Sequence, residues 1–410
     1  MKIGPLREVV EAIRGVTFPS AALFTDPGPG LIACLTTSAV HEPLRWSTAR
    51  FIPSTFLRSR SQILRPGDIM VSTANSKPNV GISAYVDVHP MEATFGAFVT
   101  VIRPVVEVDS RYLSYWFRSS RFMDVANSLA SQTTNIANLR VSDLLAIDVP
   151  LPTLDEQREI VASLTDNLAR TQAARDASSA RSEATLSLRG HAYQVAFARE
   201  LPFSVASKSG QSPPGWTWHA LTDLARLETG HTPSRDREDW WGGDLPWIAL
   251  PDIRRVDGHV AFETLETTNS EGIAHSAARV LPTETVVMSR TASVGFVTRM
   301  GRPMATSQDF VNWVCGPDLD PEFLMHLLIR SRSEIRSLAS GAIHKTVYFP
   351  TVKSFRVCIP AITEQRRIAS ELRERLATID AMESAIRAER EAIDALPAAL
   401  FRRAFDGLAA

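Results

Sequence analysis

The chain alternates between short apolar runs and two much longer segments with helical spacing. The short runs, bounded by turn residues, predict strands at 66–72, 95–102, 145–152, 285–289, 309–314 and 355–360. Apolar residues at helical spacing predict short helices at 110–126 and 321–337. The two long segments follow Pro152 and Pro360 and predict helices too long for the core of one domain.

Capping residues mark the start of each long helix. Asp155 and Thr363 are candidate N-caps, and Thr153 and Glu156 have the spacing of a capping box.

The second long segment carries an apolar seam with a period of seven, and the first has smaller residues, with an alanine at 173, 177, 180 and 184. A seam of large apolar residues on one helix and of small residues on the other predicts that the two helices pair. The pair is expected to be antiparallel because each helix follows its own globular segment. The alternative is that each helix covers a separate surface. The residues predicted to form the helix–helix seam are Leu164, Leu168, Ala177, Leu372, Leu376, Ile379, Ile386 and Ile393.

An internal repeat organises the chain. Residues 151–164 align with 359–372, and the match includes Glu156 with Glu364 and Gln157 with Gln365. Upstream, Ser128–Ser131 aligns with Ser337–Ser340, Ala93-Thr94 with Ala305-Thr306, and Phe98-Val99 with Phe310-Val311. One half of the chain therefore duplicates the other.

The strands and helices together predict an α+β fold, with two tandem globular domains separated by two long antiparallel coiled-coil helices in a pseudo-twofold repeat. The predicted segments are domain one (1–151), a central spacer helix (152–200), a linker (201–215), domain two (216–359) and a C-terminal spacer helix (360–410).

Composition adds limits. The 44 basic and 45 acidic residues give a net charge of −1, so any contact with nucleic acid must be local rather than a bulk attraction. The cysteines Cys34, Cys315 and Cys358 are far apart in sequence and predict neither a disulfide framework nor a metal site. The sequence has no secretory signal and no long uncharged apolar run, so the expected location is the cytoplasm.

Domain two opens with Gly230-His231-Thr232-Pro233-Ser234, followed by Trp240-Trp241-Gly242-Gly243, Pro246-Trp247-Ile248 and Asp252-Ile253. This order resembles the opening of a target-recognition domain in the specificity subunits of Type I restriction-modification systems. The helix starts at Pro152 and Pro360 resemble the two spacer regions of that family. Domain one departs from the pattern because it lacks the G-x-T-P-S and P-W-I strings.

The resemblance implies that double-stranded DNA is the ligand. Two polar segments, 131–138 and 340–346, occupy equivalent positions before the last strand of each domain. Amide side chains there can pair with adenine, and cationic ones can contact phosphate or guanine; the alternative is that both are solvated loops. The candidate DNA-binding residues are Gln132, Thr133, Asn135, Arg235, Arg237, Arg254, Arg255, Arg290, His344 and Lys345.

No methyltransferase, phosphate-binding or metal-ligand motif is found, so the chain is predicted to be non-catalytic and to carry no cofactor or metal. The resemblance implies two methyltransferase subunits, which would supply S-adenosylmethionine, and optional restriction subunits that use ATP and Mg²⁺. The alternatives are a coiled-coil scaffold whose domains bind proteins and the specificity part of a fused DNA methyltransferase.

Overall fold

A computed structural model describes residues 2–88, 90–133, 136–197, 202–205, 212–341 and 345–406. The chain divides into two compact units. Unit 1 comprises the residues up to 179 together with those from 387 onward, and unit 2 comprises residues 180–386. Each unit therefore includes a stretch of both long helices, whereas the sequence predicted the helices as segments of their own.

Unit 1 is built from short strands and helices that lead into the first long helix. In chain order these are β1 (Lys2–Pro5), β2 (Val10–Arg14), β3 (Leu31–Leu35), β4 (Arg50–Pro53), β5 (Ile69–Ser72), β6 (Ala74–Asn75), β7 (Ser83–Tyr85), β8 (Ala93–Phe95), β9 (Val99–Pro104), α1 (Ser110–Phe117), α2 (Ser120–Leu129), β10 (Ser131–Thr133), β11 (Ile136–Asn138), α3 (Val141–Ala146), β12 (Asp148–Leu151) and α4 (Leu154–Ala196).

Unit 2 repeats this plan and ends in the second long helix. Its elements are β13 (Phe203–Val205), β14 (Thr217–Ala220), α5 (Leu221–Leu224), β15 (Ala225–Thr229), β16 (Trp241–Ile248), α6 (Leu250–Arg255), β17 (Val260–Ala261), β18 (Thr267–Thr268), α7 (Ser270–Ala274), β19 (Val286–Ser289), β20 (Val297–Met300), β21 (Ala305–Thr306), β22 (Phe310–Cys315), α8 (Pro321–Arg330), α9 (Arg332–Ser337), α10 (Phe349–Lys353), β23 (Phe355–Ile359) and α11 (Ile362–Asp406).

The mixture of sheets and helices confirms the α+β class. Unit 1 contains a sheet of order β2-β9-β5-β7, a sheet of order β4-β3-β8, and two smaller sheets, β10-β11-β6 and β1-β12. Unit 2 contains the sheets β15-β22-β19-β20-β17, β18-β16-β21 and β13-β23-β14. Strand β13 lies within the segment predicted as a linker, where Phe203 is buried.

The two predicted short helices are each broken in two. Ser119 ends α1 and caps α2, because its hydroxyl accepts a hydrogen bond from the N–H of Phe122. Ser331 separates α8 from α9 without capping the second helix, since its hydroxyl donates to Leu327 O at 2.8 Å. Spacing alone did not show these breaks.

The pairing of strands fixes the register of the internal repeat. Ser72 pairs with Val99 in unit 1, and Ser289 pairs with Phe310 in unit 2, so Val99 corresponds to Phe310. The sequence alignment had matched Val99 with Val311 and was wrong by one residue there. A one-residue shift reverses the side of the sheet that each side chain faces, so the correction matters for surface positions.

Capping differs from the prediction at both long helices. Helix α4 begins at Leu154, and Thr153 is its cap, since Glu156 N–H donates to Thr153 Oγ1 and Thr153 N–H donates to Glu156 Oε2. Helix α11 begins at Ile362, which places Thr363 inside the helix. Asp155 and Thr363 are therefore not N-caps, while the capping box is present.

A buried glutamine near the start of each long helix ties that helix to its domain. Gln157 accepts from Asp109 N–H at 2.8 Å and donates to Pro152 O at 2.9 Å. Gln365 accepts from Asp320 N–H at 2.9 Å and donates to Pro360 O at 2.9 Å. The glutamine of the repeated Glu-Gln pair therefore links the start of each long helix to its domain.

Within unit 1 the long helices pair in antiparallel fashion. Arg175 Nε lies 2.7 Å from Asp394 Oδ1, and Arg390 donates to Ser179 Oγ at 2.8 Å, so residue numbers rise on one helix as they fall on the other. On α4, Leu164, Thr171 and Ser178 are buried at seven-residue spacing, and Leu168 is partly buried against the core. On α11, Ile393 is buried.

Unit 2 repeats this pairing. Arg189 contacts both Asp380, at 2.5 Å, and Glu383, at 3.1 Å. The buried residues of this part of the seam are Thr185, Ala192, Leu372, Leu376 and Ile379, and Ile386 is half-buried.

The predicted pairing is therefore present within each unit, but the sequence prediction assigned part of the α4 seam to the wrong residues. Ala177 is exposed, together with Ala173, Ala180 and Ala184. The small residues of α4 that are buried at seven-residue spacing are instead Thr171, Ser178 and Thr185. The alanines lie on another side of α4.

Burial raises the pKa of the Cys34 thiol to about 12, as expected for a small apolar core residue.

Within the described ranges, no helix has the length and apolar character needed to cross a membrane.

Candidate nucleic-acid interface

Several connecting segments of unit 2 meet at one edge of its five-stranded sheet. Thr229, at the end of β15, pairs with Val311, and Ser289, at the end of β19, pairs with Phe310. Because β22 runs antiparallel to both strands, the segments that follow β15 and β19 leave the sheet where β22 enters it. These segments are residues 230–234, 290–296 and 307–309.

A fourth segment folds onto this edge. Thr346 bridges to both Thr291 and Ser340, and Val347 N–H donates to Arg290 O at 2.9 Å. This is the polar segment 340–346 of the sequence prediction, with His344 outside the described residues. We call residues 230–234, 290–296, 307–309 and 345–348 the unit 2 strand-end surface.

Arg290 stands at the centre of this surface in an unusual setting. Its Nη2 donates to Gln308 O at 3.0 Å, and its guanidinium lies 4.8 Å from the centre of the Phe349 ring. Its Nε is buried, and among the described residues it has no hydrogen-bond partner and the guanidinium forms no salt bridge. Burial lowers the pKa of Arg290, and the nearby Asp309 carboxylate opposes this effect.

Three further cations surround the 290–296 loop. Arg254 Nε donates to Ser293 Oγ at 2.9 Å, Arg336 Nε donates to Val294 O at 2.9 Å, and Ala292 N–H donates to Lys345 O at 3.2 Å. Among the described residues, none of the three cations forms a salt bridge. Arg336 and Lys345 also line a groove of about 330 Å³ beside this loop. The arrangement concentrates positive charge that an anion such as phosphate can neutralise.

The other predicted arginines are already neutralised. Arg235 makes two hydrogen bonds to Glu266, at 2.6 and 2.8 Å, and Arg237 makes two to Asp239, at 2.7 and 2.8 Å. The bond to Arg235 lowers the pKa of the Glu266 carboxyl. Arg255 lies 3.7 Å from Asp252. Of the predicted unit 2 residues, the structure therefore brings together Arg254, Arg290 and Lys345.

The tryptophans near Arg235 and Arg237 hold an irregular loop. Trp247 is buried and donates from Nε1 to His231 O at 3.1 Å, and Trp241 donates to Ser234 O at 3.1 Å. Arg235 lies 4.0 Å from the centre of the Trp241 ring. These contacts support packing, rather than base stacking, as the role of the aromatic cluster.

Unit 1 has an equivalent surface. Arg14 at the end of β2 pairs with Thr100, so the segments after β2 and β5 leave where β9 begins. The hairpin β10–β11 folds onto this edge through β6, and Leu139 N–H donates to Thr73 O at 2.8 Å, as Val347 does to Arg290. We call residues 15–20, 73–82, 96–98 and 136–138 the unit 1 strand-end surface.

The predicted residues of the first polar segment lie in this hairpin. Gln132 and Thr133 belong to β10, and Asn135 lies outside the described residues. The chemistry of the surface differs from that of unit 2. The 73–82 loop carries the amides Asn75 and Asn79 with one cation, Lys77, and exposed Arg14 and Arg140 flank it.

Domain one carries a variant of the glycine string at this edge. Gly15-Val16-Thr17-Phe18-Pro19-Ser20 matches the glycine string of domain two with one extra residue, Phe18. Val16 N–H donates to Phe95 O at 2.7 Å, and His231 N–H donates to Thr306 O at 2.9 Å. A Cβ on Gly15 would lie 2.1 Å from Gly96 O, and one on Gly230 would lie 2.2 Å from Thr306 O. Close backbone approach therefore requires both glycines.

Each unit also has a groove between its long-helix segments. In unit 1 the groove has a volume of about 580 Å³ and is lined by Ile160 and Leu164 of α4 and by Leu400 and Ala404 of α11. In unit 2 the groove has a volume of about 280 Å³ and is lined by the repeat equivalents Ile368 and Leu372 with Val195 and Ala196, and also by Trp216. The two grooves are the same feature in two copies of the repeat.

Within the described residues no group of three or more His, Cys, Asp or Glu side chains is placed to hold a metal ion.

Comparison with known proteins agrees with this architecture. A family model described as the Type I restriction modification DNA specificity domain matches residues 1–175 and 213–391. The specificity subunit of the Type I restriction enzyme StySPI from Salmonella potsdam is 22% identical over 416 residues, covering 98% of this chain and 88% of that protein. The specificity subunit of MjaIX from Methanocaldococcus jannaschii is 25% identical over 182 residues, covering 44% of this chain but only 42% of that protein.

Among solved structures, a chain from work on complex assembly and conformational transition of the type I R-M system has the same fold. The TM-score is 0.75 at 18% identity, over 98% of this chain and 97% of that one. Two family matches in tandem account for most of the sequence. The chain belongs to the family of Type I restriction-modification DNA specificity subunits.

Proposed function

We propose that each unit reads one half of a two-part DNA site through its strand-end surface. The observation that supports this most directly is the repetition of one arrangement: in each unit, the segments after two antiparallel strands and a polar segment from later in the chain meet at one sheet edge. Such a surface, built on strands, can present side chains to base edges in a groove of DNA.

The long helices would set the distance and rotation between the two half-sites. The proposal is supported by a regular seven-residue burial pattern on α4, which continues from Leu164 to Ala192. Inserting one heptad into both helices is expected to lengthen the unspecified gap between half-sites. Sequencing of methylated genomic DNA measures that gap, and an unchanged gap would refute this role.

We further propose that the helix grooves bind two methyltransferase subunits, which would supply S-adenosylmethionine, and that restriction subunits using ATP and Mg²⁺ complete the assembly. Two equivalent grooves on a duplicated chain suit two copies of one partner. In this proposal the chain itself performs no chemistry.

Co-purification with the methyltransferase subunit tests the docking. Ile160→Arg, in the unit 1 groove, is expected to remove one of two bound copies. Leu186→Arg is the control, because Leu186 is 61% exposed and lies outside both grooves. Equal loss with both variants would argue against the grooves.

DNA binding separates this proposal from the alternatives. The complex with methyltransferase subunits is expected to bind DNA that carries one bipartite sequence and to methylate it. A protein-binding scaffold would bind no DNA. Methyl transfer by the purified chain alone would instead indicate a fused methyltransferase.

A further inference from the structure

Arg290 combines a fixed position with a charge that forms no direct salt bridge with a described carboxylate, although Asp309 lies nearby. Its backbone is held on both sides, since its N–H donates to Asp309 O at 2.8 Å and its carbonyl accepts from Val347 N–H at 2.9 Å. Its side chain is held by Gln308 O and the Phe349 ring. A side chain fixed in this way on a strand end can read a base with little loss of conformational entropy.

The remaining hydrogen-bond donors of Arg290 match the acceptors of guanine. Gln308 O accepts one N–H of Nη2, and the other N–H of Nη2 and both on Nη1 have no hydrogen-bond partner among the described residues. Two neighbouring donors in a plane match the O6 and N7 acceptors of guanine in the major groove. A phosphate can be contacted by a cation in many orientations, and Arg254, Arg336 and Lys345 supply cations around the same loop.

We propose that Arg290 reads a guanine in the half-site bound by unit 2, while Arg254, Arg336 and Lys345 contact the flanking phosphates. This rests on the proposed function and names the base that one surface selects.

The equivalent position in unit 1 cannot make the same contact. Thr73 occupies the place of Arg290, is buried, and its hydroxyl lies within hydrogen-bond distance of Phe98 O and Thr100 Oγ1. The 73–82 loop around it offers amides, which suit adenine. The two halves of the site are therefore read by different chemistry at this position, and the guanine contact belongs to one half only.

Binding to a randomised double-stranded DNA library, measured for the complex of the full chain with its methyltransferase subunits, tests this directly. Arg290→Ala is expected to relax one G·C position in one half-site by on the order of 10- to 100-fold, with other positions unchanged. Arg290→Gln keeps a planar side chain and is expected to lose the same preference, which guards against a folding defect. Lys345→Ala is expected to weaken binding to all sequences equally and to reduce the salt dependence by about one phosphate contact.

Arg235→Ala is the matched control, because Arg235 is an arginine near the same surface whose charge Glu266 already neutralises. It is expected to leave base preference unchanged. Uniform weakening by Arg290→Ala, or relaxation at an A·T position, would overturn the guanine assignment while leaving the proposed function intact. If the wild-type complex showed no sequence preference at all, the proposed function itself would fail.

Discussion

The hydroxyl of Tyr193, on α4, lies 3.2 Å from Nδ1 of the buried His326, on α8. Burial lowers the pKa of His326 to about 3, and the nearby charges of Arg299, His259 and Arg373 act in the same direction. The corresponding rings of unit 1 are Tyr115 and Phe401, so unit 1 has no histidine at this contact. The two units therefore attach to their helices through contacts that differ in their response to acid.

Unit 2 is expected to lose stability as the pH falls. Because the folded pKa of His326 lies below the ordinary value of 6.5, the unfolded state binds more protons between the two values, and unfolding becomes easier as pH decreases. Between pH 7.5 and 5 the loss from this one group is on the order of 2 kcal/mol. Urea unfolding of the wild type and His326→Gln at both pH values measures it.

The variant His326→Gln stays neutral and can still bond to Tyr193, so its stability should change less over that range. Tyr115→Phe, at the unit 1 position, serves as the control and should track the wild type. Parallel pH dependence of the wild type and His326→Gln would show that His326 is not the group responsible.

Replacing either buried glutamine is expected to loosen a helix from its domain. Gln157→Ala leaves Asp109 N–H and Pro152 O without partners, so it should cost about 1–3 kcal/mol. Gln365→Ala should do the same in unit 2. Gln172→Ala is the control, since Gln172 is exposed on the same helix, and its effect should stay within about 0.5 kcal/mol. Equal unfolding midpoints for Gln157→Ala and Gln172→Ala would contradict this.

Ser178→Ala is expected to stabilise the helix pair. The Ser178 hydroxyl is buried in the seam and has no hydrogen-bond partner in the described part of the chain, so removing it relieves a desolvation penalty and improves helix propensity. The gain should be about 0.5–1 kcal/mol in denaturant unfolding. Ser187→Ala, on an exposed side of the same helix, reports the propensity effect alone. A smaller gain at Ser178 than at Ser187 would mean that the buried hydroxyl is satisfied in solution.

Alanine at the two repeat glycines should disrupt the strand-end surfaces. In both Gly15→Ala and Gly230→Ala the new methyl would collide with backbone oxygen, which cannot rotate away. We expect a loss of several kcal/mol, or failure to fold, and loss of DNA binding by that unit. Gly190→Ala is the opposite case, because nothing lies within 4 Å and the helix should gain about 1 kcal/mol. Thermal melting distinguishes the two outcomes.

The long helices, their pairing and the duplication could be predicted because period-seven burial and proline-marked starts are local properties of sequence. Ser178 and Ile393 follow that period and are buried. The alanine stripe misled because small residues fit both a close helix contact and a solvated surface. Only burial separates these, and Ala177 is exposed.

The candidate interface was predicted in part. The described residues of the segments 131–138 and 340–346 do lie at equivalent sheet edges, since their position before the last strand fixes where they return. Which arginines remain free depends on partners distant in sequence, as with Arg235 and Glu266, so composition could not rank them. Arg336 was missed because it lies in a helix and reaches the loop only through folding. The glycine string of domain one was missed because Phe18 interrupts it.

Unit 1 is made from two distant stretches of chain, and its core closes only when Phe401 and Phe405 pack against Tyr115 and Tyr112. During synthesis Phe401 and Phe405 follow the whole of unit 2, residues 180–386. Synthesis of unit 1 begins before that of unit 2, but unit 1 would be completed after it, with an exposed apolar cleft in the meantime. Removing the turn of α11 that follows Phe401, which includes Phe405, should therefore lower the stability of unit 1 more than that of unit 2.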